Sequence, residues 1–111
     1  MAVKTYSLKE HGNTKLSTNF TVKEFACKDG SDKVLIDTAL VDVLQKIRDY
    51  FGKPVIINSA YRSPEHNKRV GGSAGSYHIK GMAADIQIAG VSAVELAYYA
   101  QTITNGVGVY Y

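Results

Sequence analysis

Residues 37–61 read DTALVDVLQKIRDYFGKPVIINSAY, and this stretch sets the organisation of the chain. Its first half repeats apolar residues at the i, i+3/i+4, i+7 spacing of one buried helix face: Leu40, Val41, Leu44, Ile47 and Phe51. Asp37 is the predicted N-cap, and Gly52 and Pro54 end the helix. The β-branched residues at 55–57 then predict a buried strand.

The sequence before this helix is more polar. Residues 1–18 lack a clear apolar period, so we expect a loose or extended arm. Thr21 and Glu24 have the spacing of a capping box at the start of a short helix. Phe20 and Phe25 stand where a hydrophobic staple would pack across that helix start.

The sequence after residue 61 alternates helices and strands. Ser63 is placed to cap a short helix, and residues 82–90 (MAADIQIAG) predict a central strand. Ser92 and Glu95 form a second capping box, and residues 105–111 read as a turn and a final strand. The order α, α, β, α, β, α, β predicts a small α+β domain over residues 19–111, with helices packed on an antiparallel or mixed sheet.

Composition limits the class of protein. The chain has 111 residues, 45% of them apolar and 21% charged, which fits one globular domain. The net charge of +3 is spread along the chain, so we expect no nucleic-acid partner. No segment reaches the roughly 20 apolar residues of a membrane span. The single cysteine, Cys27, excludes an intrachain disulfide and is expected to be a buried thiol.

Residues 76–86, SYHIKGMAADI, contain the most suggestive pair of polar residues. His78 and Asp85 are seven residues apart, and on a straight strand this odd spacing would place them on opposite faces. A bend at Gly81 with positive φ would let the two side chains converge. An imidazole and a carboxylate are suitable zinc ligands. The spacing alone also fits a solvated turn or a hydrogen-bonded pair.

Arg62 directly follows the strand predicted after residue 54. The end of a strand is where polar groups of a site often gather, and a guanidinium there can bind a carboxylate or stabilise an oxyanion. The residues alone favour a simpler interpretation, an ion pair with Glu65 or another surface carboxylate.

The pattern S-x-H-x-x-G-x-A-x-D resembles the signature of the zinc D-alanyl-D-alanine carboxypeptidase family, which includes bacterial cell-wall carboxypeptidases and phage endolysin peptidases. The matching residues are Ser76, His78, Gly81, Ala83 and Asp85. Three longer segments also resemble the short bacterial and phage branch of that family: residues 19–30, 34–72 and 75–86. The resemblance runs from about Asn19 to the last residue.

This resemblance implies a function and a site. His78 and Asp85 would be two zinc ligands, Arg62 would bind substrate and steady the tetrahedral intermediate, and Ser76 would contact substrate or support a ligand. The implied cofactor is zinc, and the implied reaction is hydrolysis of amide bonds in the peptidoglycan stem peptide. Cleavage of a terminal D-alanine and cleavage within the stem both remain open.

One part of the family pattern is missing. The family takes its third zinc ligand from a histidine-containing strand beyond the position of Tyr111, and no histidine follows His78 here. The general base is therefore assigned to no residue of this sequence. We expect a truncated form of an active enzyme. The alternatives are a non-catalytic relative that binds peptidoglycan, or a site completed by His66, by His11 or by a second molecule.

The N-terminal residues 1–13, MAVKTYSLKEHGN, lack the apolar core of a signal peptide. We therefore expect synthesis in the cytoplasm and action at the cell wall, after release or by another export route. The sequence leaves the oligomeric state and a host or phage origin open.

Overall fold

Helix α2, Thr38–Phe51, is the longest element and begins and ends as the sequence predicts. The Asp37 carboxylate accepts a hydrogen bond from the Ala39 backbone N–H at 2.8 Å, which caps the helix, and Gly52 follows its last residue. The predicted apolar face is buried except for Phe51, which is half-buried. This face anchors the core on which the site is built.

The computed structural model describes residues 2–104 and 106–111. The other helices are α1 Leu8–His11, α3 Pro64–Arg69, α4 Ala93–Ala100 and a short 3-10 helix, Val22–Phe25. The strands are β1 Val3–Ser7, β2 Lys15–Ser17, β3 Phe20–Thr21, β4 Lys33–Asp37, β5 Ile56–Ser59, β6 Ala83–Gln87 and β7 Gly108–Tyr110.

The strands form three small sheets. β1 pairs with β4 and β2 pairs with β3, both antiparallel. The third sheet has the order β5-β6-β7, with β5 antiparallel and β7 parallel to the central β6. The prediction of an α+β domain with a mixed sheet is therefore confirmed, and so is the central position of β6. In the predicted terminal turn, Asn105 lies outside the described residues.

The local signals for helix starts are confirmed. The Glu24 carboxylate accepts from the Thr21 backbone N–H at 2.6 Å, and the rings of Phe20 and Phe25 lie 6.3 Å apart. The start of α4 has the same device, because Glu95 donates its backbone N–H to the Ser92 hydroxyl at 3.1 Å. The predicted cap of α3 is also present, at Ser63.

The prediction that β5 is a buried strand is wrong. β5 lies at the edge of its sheet, where Ile57 packs in the core while Ile56 is 47% exposed. An edge strand of a mixed sheet packs on one face and has one strand neighbour, so consecutive β-branched residues face opposite environments.

Residues 2–18 are not the loose arm that the sequence suggests. β1 pairs along its whole length with β4, a strand that the sequence pattern also fails to predict. The Asp32 carboxylate fixes the end of β1, since it accepts from the Lys9 backbone N–H at 2.7 Å and from the Ser7 hydroxyl at 2.8 Å. These contacts use main-chain and short polar groups, which leave no hydrophobic period in the sequence. The boundary between residues 18 and 19 stays a prediction.

Gly81 provides the bend that the sequence predicts before β6. Its φ is +75°, and a β-carbon built there would lie 2.5 Å from the carbonyl oxygen of Leu35. The Gly81 carbonyl accepts the backbone N–H of Asp37 at 2.9 Å, so the loop that carries His78 is tied to the end of β4. Both the backbone conformation and the close approach require glycine.

Among the residues that the structure describes, no helix has the length and apolar character needed to cross a membrane.

We predict that Gly81→Ala lowers the free energy of unfolding by about 3 kcal/mol or more, because strain at positive φ adds to the clash with Leu35. Gly30→Ala is the matched control. Gly30 also has a positive φ, +85°, but has no atom within 4 Å of the added carbon, so its cost is about 1 kcal/mol. Chemical denaturation of both variants checks the difference, and equal costs would contradict the proposed close approach.

We also predict that Asp32 makes the fold sensitive to acid. Hydrogen bonds from the Lys9 backbone and the Ser7 hydroxyl hold the pKa of Asp32 below its ordinary value of 3.8. The ionised carboxyl group therefore stabilises the fold above that value, and this contribution is lost as the pH falls through the lower folded pKa.

Asp32→Asn keeps the size of the side chain but removes the charge. Denaturation between about pH 6 and about pH 2 should show a smaller loss of stability for this variant than for the wild type. Ser7→Ala, which removes one of the two hydrogen bonds, should fall between them. A loss in Asp32→Asn equal to that of the wild type would contradict the assignment.

Candidate functional site

The candidate site lies on the face of the third sheet that points away from the core. Ala84 and Ile86 pack in the core, so Asp85 between them faces the other way. Asp85 pairs in register with Ser59 of β5 and with Tyr110 of β7. The side chain of Asp85 therefore stands at the centre of a three-strand surface and remains 33% exposed.

His78 reaches this surface from the loop before β6. The residue is 5% exposed, and its Nδ1 lies 2.7 Å from the Ala60 carbonyl oxygen. A carbonyl only accepts hydrogen bonds, so Nδ1 carries a proton and donates it. The other ring nitrogen, Nε2, lies 3.3 Å from Oδ1 of Asp85. The predicted convergence of the two side chains around the Gly81 bend is thus present.

The contact between His78 and Asp85 brings two hydrogen-bond acceptors together. In a neutral imidazole protonated on Nδ1, the Nε2 lone pair would face a carboxylate oxygen, and two acceptors in contact repel. A metal ion or a shared proton between the two atoms removes the repulsion. Two donors that bind one tetrahedral zinc ion at about 2.0–2.2 Å lie about 3.3–3.6 Å apart. The observed 3.3 Å separation falls in this range, so the pair fits two ligands of such an ion.

Arg62 is held beside this pair by three hydrogen bonds. Its Nε donates to the Ser59 hydroxyl at 3.1 Å, Nη1 donates to Oδ1 of Asn67 at 3.2 Å, and Nη2 donates to Oδ2 of Asp85 at 3.2 Å. The backbone N–H of Arg62 also donates to the His78 carbonyl at 3.1 Å. The alternative partner Glu65 is not the one observed, since the ion pair is with Asp85.

Ser76 lies at the turn that leads into His78. Its hydroxyl accepts the His78 backbone N–H at 3.2 Å. This contact shapes the backbone next to His78. The predicted roles of Ser76, His78, Asp85 and Arg62 in substrate and metal binding stay predictions.

The other candidate histidines lie in different surroundings. Nδ1 of His11 accepts the Ser7 backbone N–H at 3.2 Å, near the chain start. His66 is part of α3, where its backbone N–H donates to the Ser63 hydroxyl at 3.2 Å. Within residues 2–104 and 106–111, no group of three or more His, Cys, Asp or Glu side chains is placed to hold a metal ion.

Cys27 is buried, as expected, and belongs to a separate polar cluster. Its sulfur accepts the Ser63 backbone N–H at 3.3 Å, and the Ser63 hydroxyl donates to Asp29 at 2.7 Å. Hydrogen bonds from Ser31 first, and then from Ser63, hold the pKa of Asp29 well below its ordinary value. Burial raises the pKa of the neighbouring Tyr61. These groups fix Ser63, which caps α3 and directly follows Arg62 in the chain.

Three residues at the site belong to none of the motifs that the sequence analysis identifies. Ser59 and Asn67 both bind the guanidinium of Arg62, and the ring of Tyr110 lies 5.9 Å from the ring of His78. Asn67 is four residues after the helix cap Ser63, a spacing that places both on one side of the short helix. This spacing is the one clue that could have identified Asn67. The position of Tyr110 follows only from the pairing of β7 with β6.

A pocket of about 480 Å³ adjoins the site. Its lining is mostly apolar and consists of Pro64, Asn67, Lys68, Gly72, Ala74 and Ile79. The pocket shares Asn67 with the residues that hold Arg62.

A small α+β domain with an imidazole, a carboxylate and a guanidinium gathered on one sheet has parts typical of a metal-dependent hydrolase. A family model described as Peptidase M15 matches residues 18–111. The chain therefore belongs to the peptidase M15 family and is, by this resemblance, a metallopeptidase, which implies a peptide-containing substrate. No curated protein and no solved structure matches the chain. The resemblance predicted from the sequence is confirmed at the level of this family.

We predict that Arg62→Lys lowers the free energy of unfolding by about 1–3 kcal/mol, because one ammonium group cannot bind the three acceptors that a guanidinium fork reaches. Arg69→Lys is the matched control. The Arg69 side chain is 63% exposed and has one ion-pair contact, of 4.0 Å, so its replacement should change stability by less than about 0.5 kcal/mol. Chemical denaturation compares the two variants. Equal effects would contradict the idea that the three-point contact stabilises the site.

Proposed function

We propose that the protein hydrolyses amide bonds in the stem peptides of peptidoglycan, with zinc as its cofactor. The observation that carries the proposal is the convergence of His78 Nε2 and Asp85 Oδ1 beside the guanidinium of Arg62. Peptide hydrolysis follows from the family, and the peptidoglycan substrate follows from the resemblance of residues 19–111 to cell-wall peptidases. We propose that the protein acts at the cell wall.

Two residues of the chain would contribute ligands to the zinc ion, His78 and Asp85, and the described residues place no third His, Cys, Asp or Glu with them. Each has a supporting hydrogen bond that fixes its orientation: Nδ1 of His78 donates to the Ala60 carbonyl, and Oδ2 of Asp85 accepts from Arg62. Supporting hydrogen bonds of this kind are typical of metal ligands because they fix the imidazole tautomer and the carboxylate rotamer. When bound, zinc would polarise the scissile carbonyl and lower the pKa of a water molecule towards neutrality.

Arg62 would bind the substrate. In the described part of the chain, three of its N–H groups have acceptors in Ser59, Asn67 and Asp85. A guanidinium has five N–H groups, so two remain for an oxygen of the peptide. Because the protein contacts fix the guanidinium in advance, it can stabilise negative charge on the carbonyl oxygen without rearranging. It can equally pair with a terminal carboxylate of the stem peptide.

The charge of the protein suits this substrate. Stem peptides carry carboxylates, and a chain with a net charge of +3 attracts an anionic polymer at low ionic strength. The Arg62 side chain is 17% exposed, so a substrate carboxylate that meets it would be partly shielded from water.

A second candidate function is binding of peptidoglycan without hydrolysis. The observation in its favour is the absence of a third His, Cys, Asp or Glu near the pair within the described residues. The Arg62–Asp85 ion pair would then be a purely structural part of a peptide-binding surface.

We predict that zinc binding depends on the His78–Asp85 pair. Calorimetric titration of the purified chain with zinc, followed by elemental analysis, should show binding that is lost in His78→Ala and in Asp85→Ala, since each removes a ligand. His66→Ala is the matched control and should bind zinc like the wild type. Zinc binding that is unchanged in His78→Ala would contradict the assignment of the site.

We further predict that the zinc-loaded protein releases D-alanine or new amino groups from purified peptidoglycan. Arg62→Lys should reduce this release by tenfold or more, about the effect of losing one charged hydrogen bond in the transition state. Zinc bound at His78 and Asp85 with no release of either product would contradict hydrolysis by this chain. Co-sedimentation with peptidoglycan under those conditions would support the second candidate.

A further inference from the structure

Asn67 is the most deeply buried of the three side chains that accept a hydrogen bond from the Arg62 guanidinium. It is 1% exposed, and its amide lies between the guanidinium of Arg62 and the glycine-rich loop at residues 71–76. A buried amide needs a partner for each of its polar atoms, and both ends of this one are occupied. The location of Asn67 is therefore set by contacts on two sides.

The hydrogen-bond partners of the Asn67 amide determine its orientation. Oδ1 accepts from Nη1 of Arg62 at 3.2 Å, and Nδ2 donates to the Ser73 carbonyl at 2.7 Å. If the amide were rotated by half a turn, a donor would face a donor and an acceptor would face an acceptor. Asp and Leu have nearly the same size as Asn, but Asp lacks the N–H donor, and Leu lacks both the donor and the acceptor oxygen.

The backbone of Asn67 is tied to the same elements. Its N–H donates to the Ser63 carbonyl at 2.9 Å, and its carbonyl accepts the Gly72 N–H at 2.8 Å. A β-carbon on Gly72 would clash with the side-chain amide of Asn67. The loop thus packs directly on Asn67, with space for glycine alone at residue 72.

We propose that Asn67 is a positioning residue that sets the orientation of the Arg62 guanidinium and couples it to the loop leading to Ser76 and His78. One end of the amide holds the guanidinium, and the other end holds the loop. Movement of the loop would pull on the amide and so turn Arg62 away from the direction in which it meets a substrate oxygen. The contacts of Asn67 alone support its effect on the orientation of the Arg62 guanidinium. Its effect on substrate binding rests on the proposed function.

The variants Asn67→Leu and Asn67→Asp separate the two ends of the amide. Asn67→Leu removes both contacts, whereas Asn67→Asp keeps an acceptor for Arg62 and loses the donor to the loop. Asn58→Leu, at an exposed asparagine of β5, is the matched control for the change of side-chain chemistry. Gly72→Ala is a further variant, which displaces the amide without changing its chemistry.

The direct measurement is the rate of rotation of the Arg62 guanidinium, read from its Nη signals by NMR and assigned with Arg62→Lys. Asn67→Leu and Gly72→Ala should speed the rotation by about tenfold or more, the effect of losing a hydrogen bond to a charged group. Asn67→Asp and Asn58→Leu should stay near the wild-type rate. An unchanged rate in Asn67→Leu, or equal rates in Asn67→Leu and Asn67→Asp, would overturn the proposal. If Asn67→Leu does not fold, the comparison of Gly72→Ala with Asn67→Asp decides in the same way.

A second measurement tests the consequence for substrate. The dissociation constant of the acylated tripeptide L-Lys-D-Ala-D-Ala should rise about tenfold in Asn67→Leu, with zinc affinity unchanged and much of the peptide affinity restored in Asn67→Asp. A peptide affinity in Asn67→Leu equal to that of the wild type would overturn the link to substrate. If the wild type binds neither zinc nor the tripeptide while rotation still responds to Asn67→Leu, the proposed function fails and the role of Asn67 in holding Arg62 stands.

Discussion

The hydrogen bond from Nδ1 of His78 to the Ala60 carbonyl, 2.7 Å long, determines the chemistry of the site. Because it fixes the proton on Nδ1, it aims the lone pair of Nε2 at the Asp85 carboxylate. Two such acceptors 3.3 Å apart repel each other, and a cation or a proton between them removes the repulsion. The Arg62 guanidinium on the far oxygen of Asp85 cannot fill that position, because it is already held on the other side. The pair is therefore placed to share a metal ion or a proton.

The rest of the fold maintains this arrangement. The Gly81 bend brings His78 back over β6, and its packing against Leu35 of β4 leaves no room for a side chain. The central position of β6 holds Asp85 between two neighbouring strands. Arg62 connects the end of β5 to α3 through Asn67, and Asn67 connects α3 to the loop. Few of these contacts are apolar. The hydrophobic core therefore holds the sheet in place, while hydrogen bonds between polar groups set the arrangement of the site residues.

The sequence predicts the parts of this molecule that depend on local rules. Helix α2, the capping residues of three helices and the bend at Gly81 follow from periodicity, hydrogen-bonding side chains and the freedom of glycine. The side-chain pattern does not predict β1, because its residues are exposed or half-buried and leave no apolar period. It does not predict β4 either, although Val34 and Ile36 are buried, because a run of three apolar residues does not by itself distinguish a strand from a helix. The edge position of β5 was missed for a related reason, since consecutive β-branched residues do not reveal how many neighbours a strand has.

The candidate site shows the same division. The residue types and spacing of His78, Asp85 and Arg62 predict metal and anion chemistry, and the structure brings these three residues together. No sequence pattern marks Ser59 and Asn67, because their importance comes from hydrogen bonds to the Arg62 guanidinium that depend on how the chain turns between β5 and α3. Residue types thus indicate which chemistry is available, whereas the supporting contacts require the three-dimensional arrangement.

The most direct test of the account is the nitrogen NMR spectrum of the His78 imidazole, recorded on labelled protein with and without zinc. We predict that Nδ1 carries a proton in both states, and that the Nε2 signal shifts to the position of a metal-bound nitrogen when zinc is added and moves back when zinc is removed by a chelator. A proton on Nε2 with none on Nδ1, or an Nε2 signal that does not respond to zinc, would contradict the claim that this pair is arranged around a metal ion.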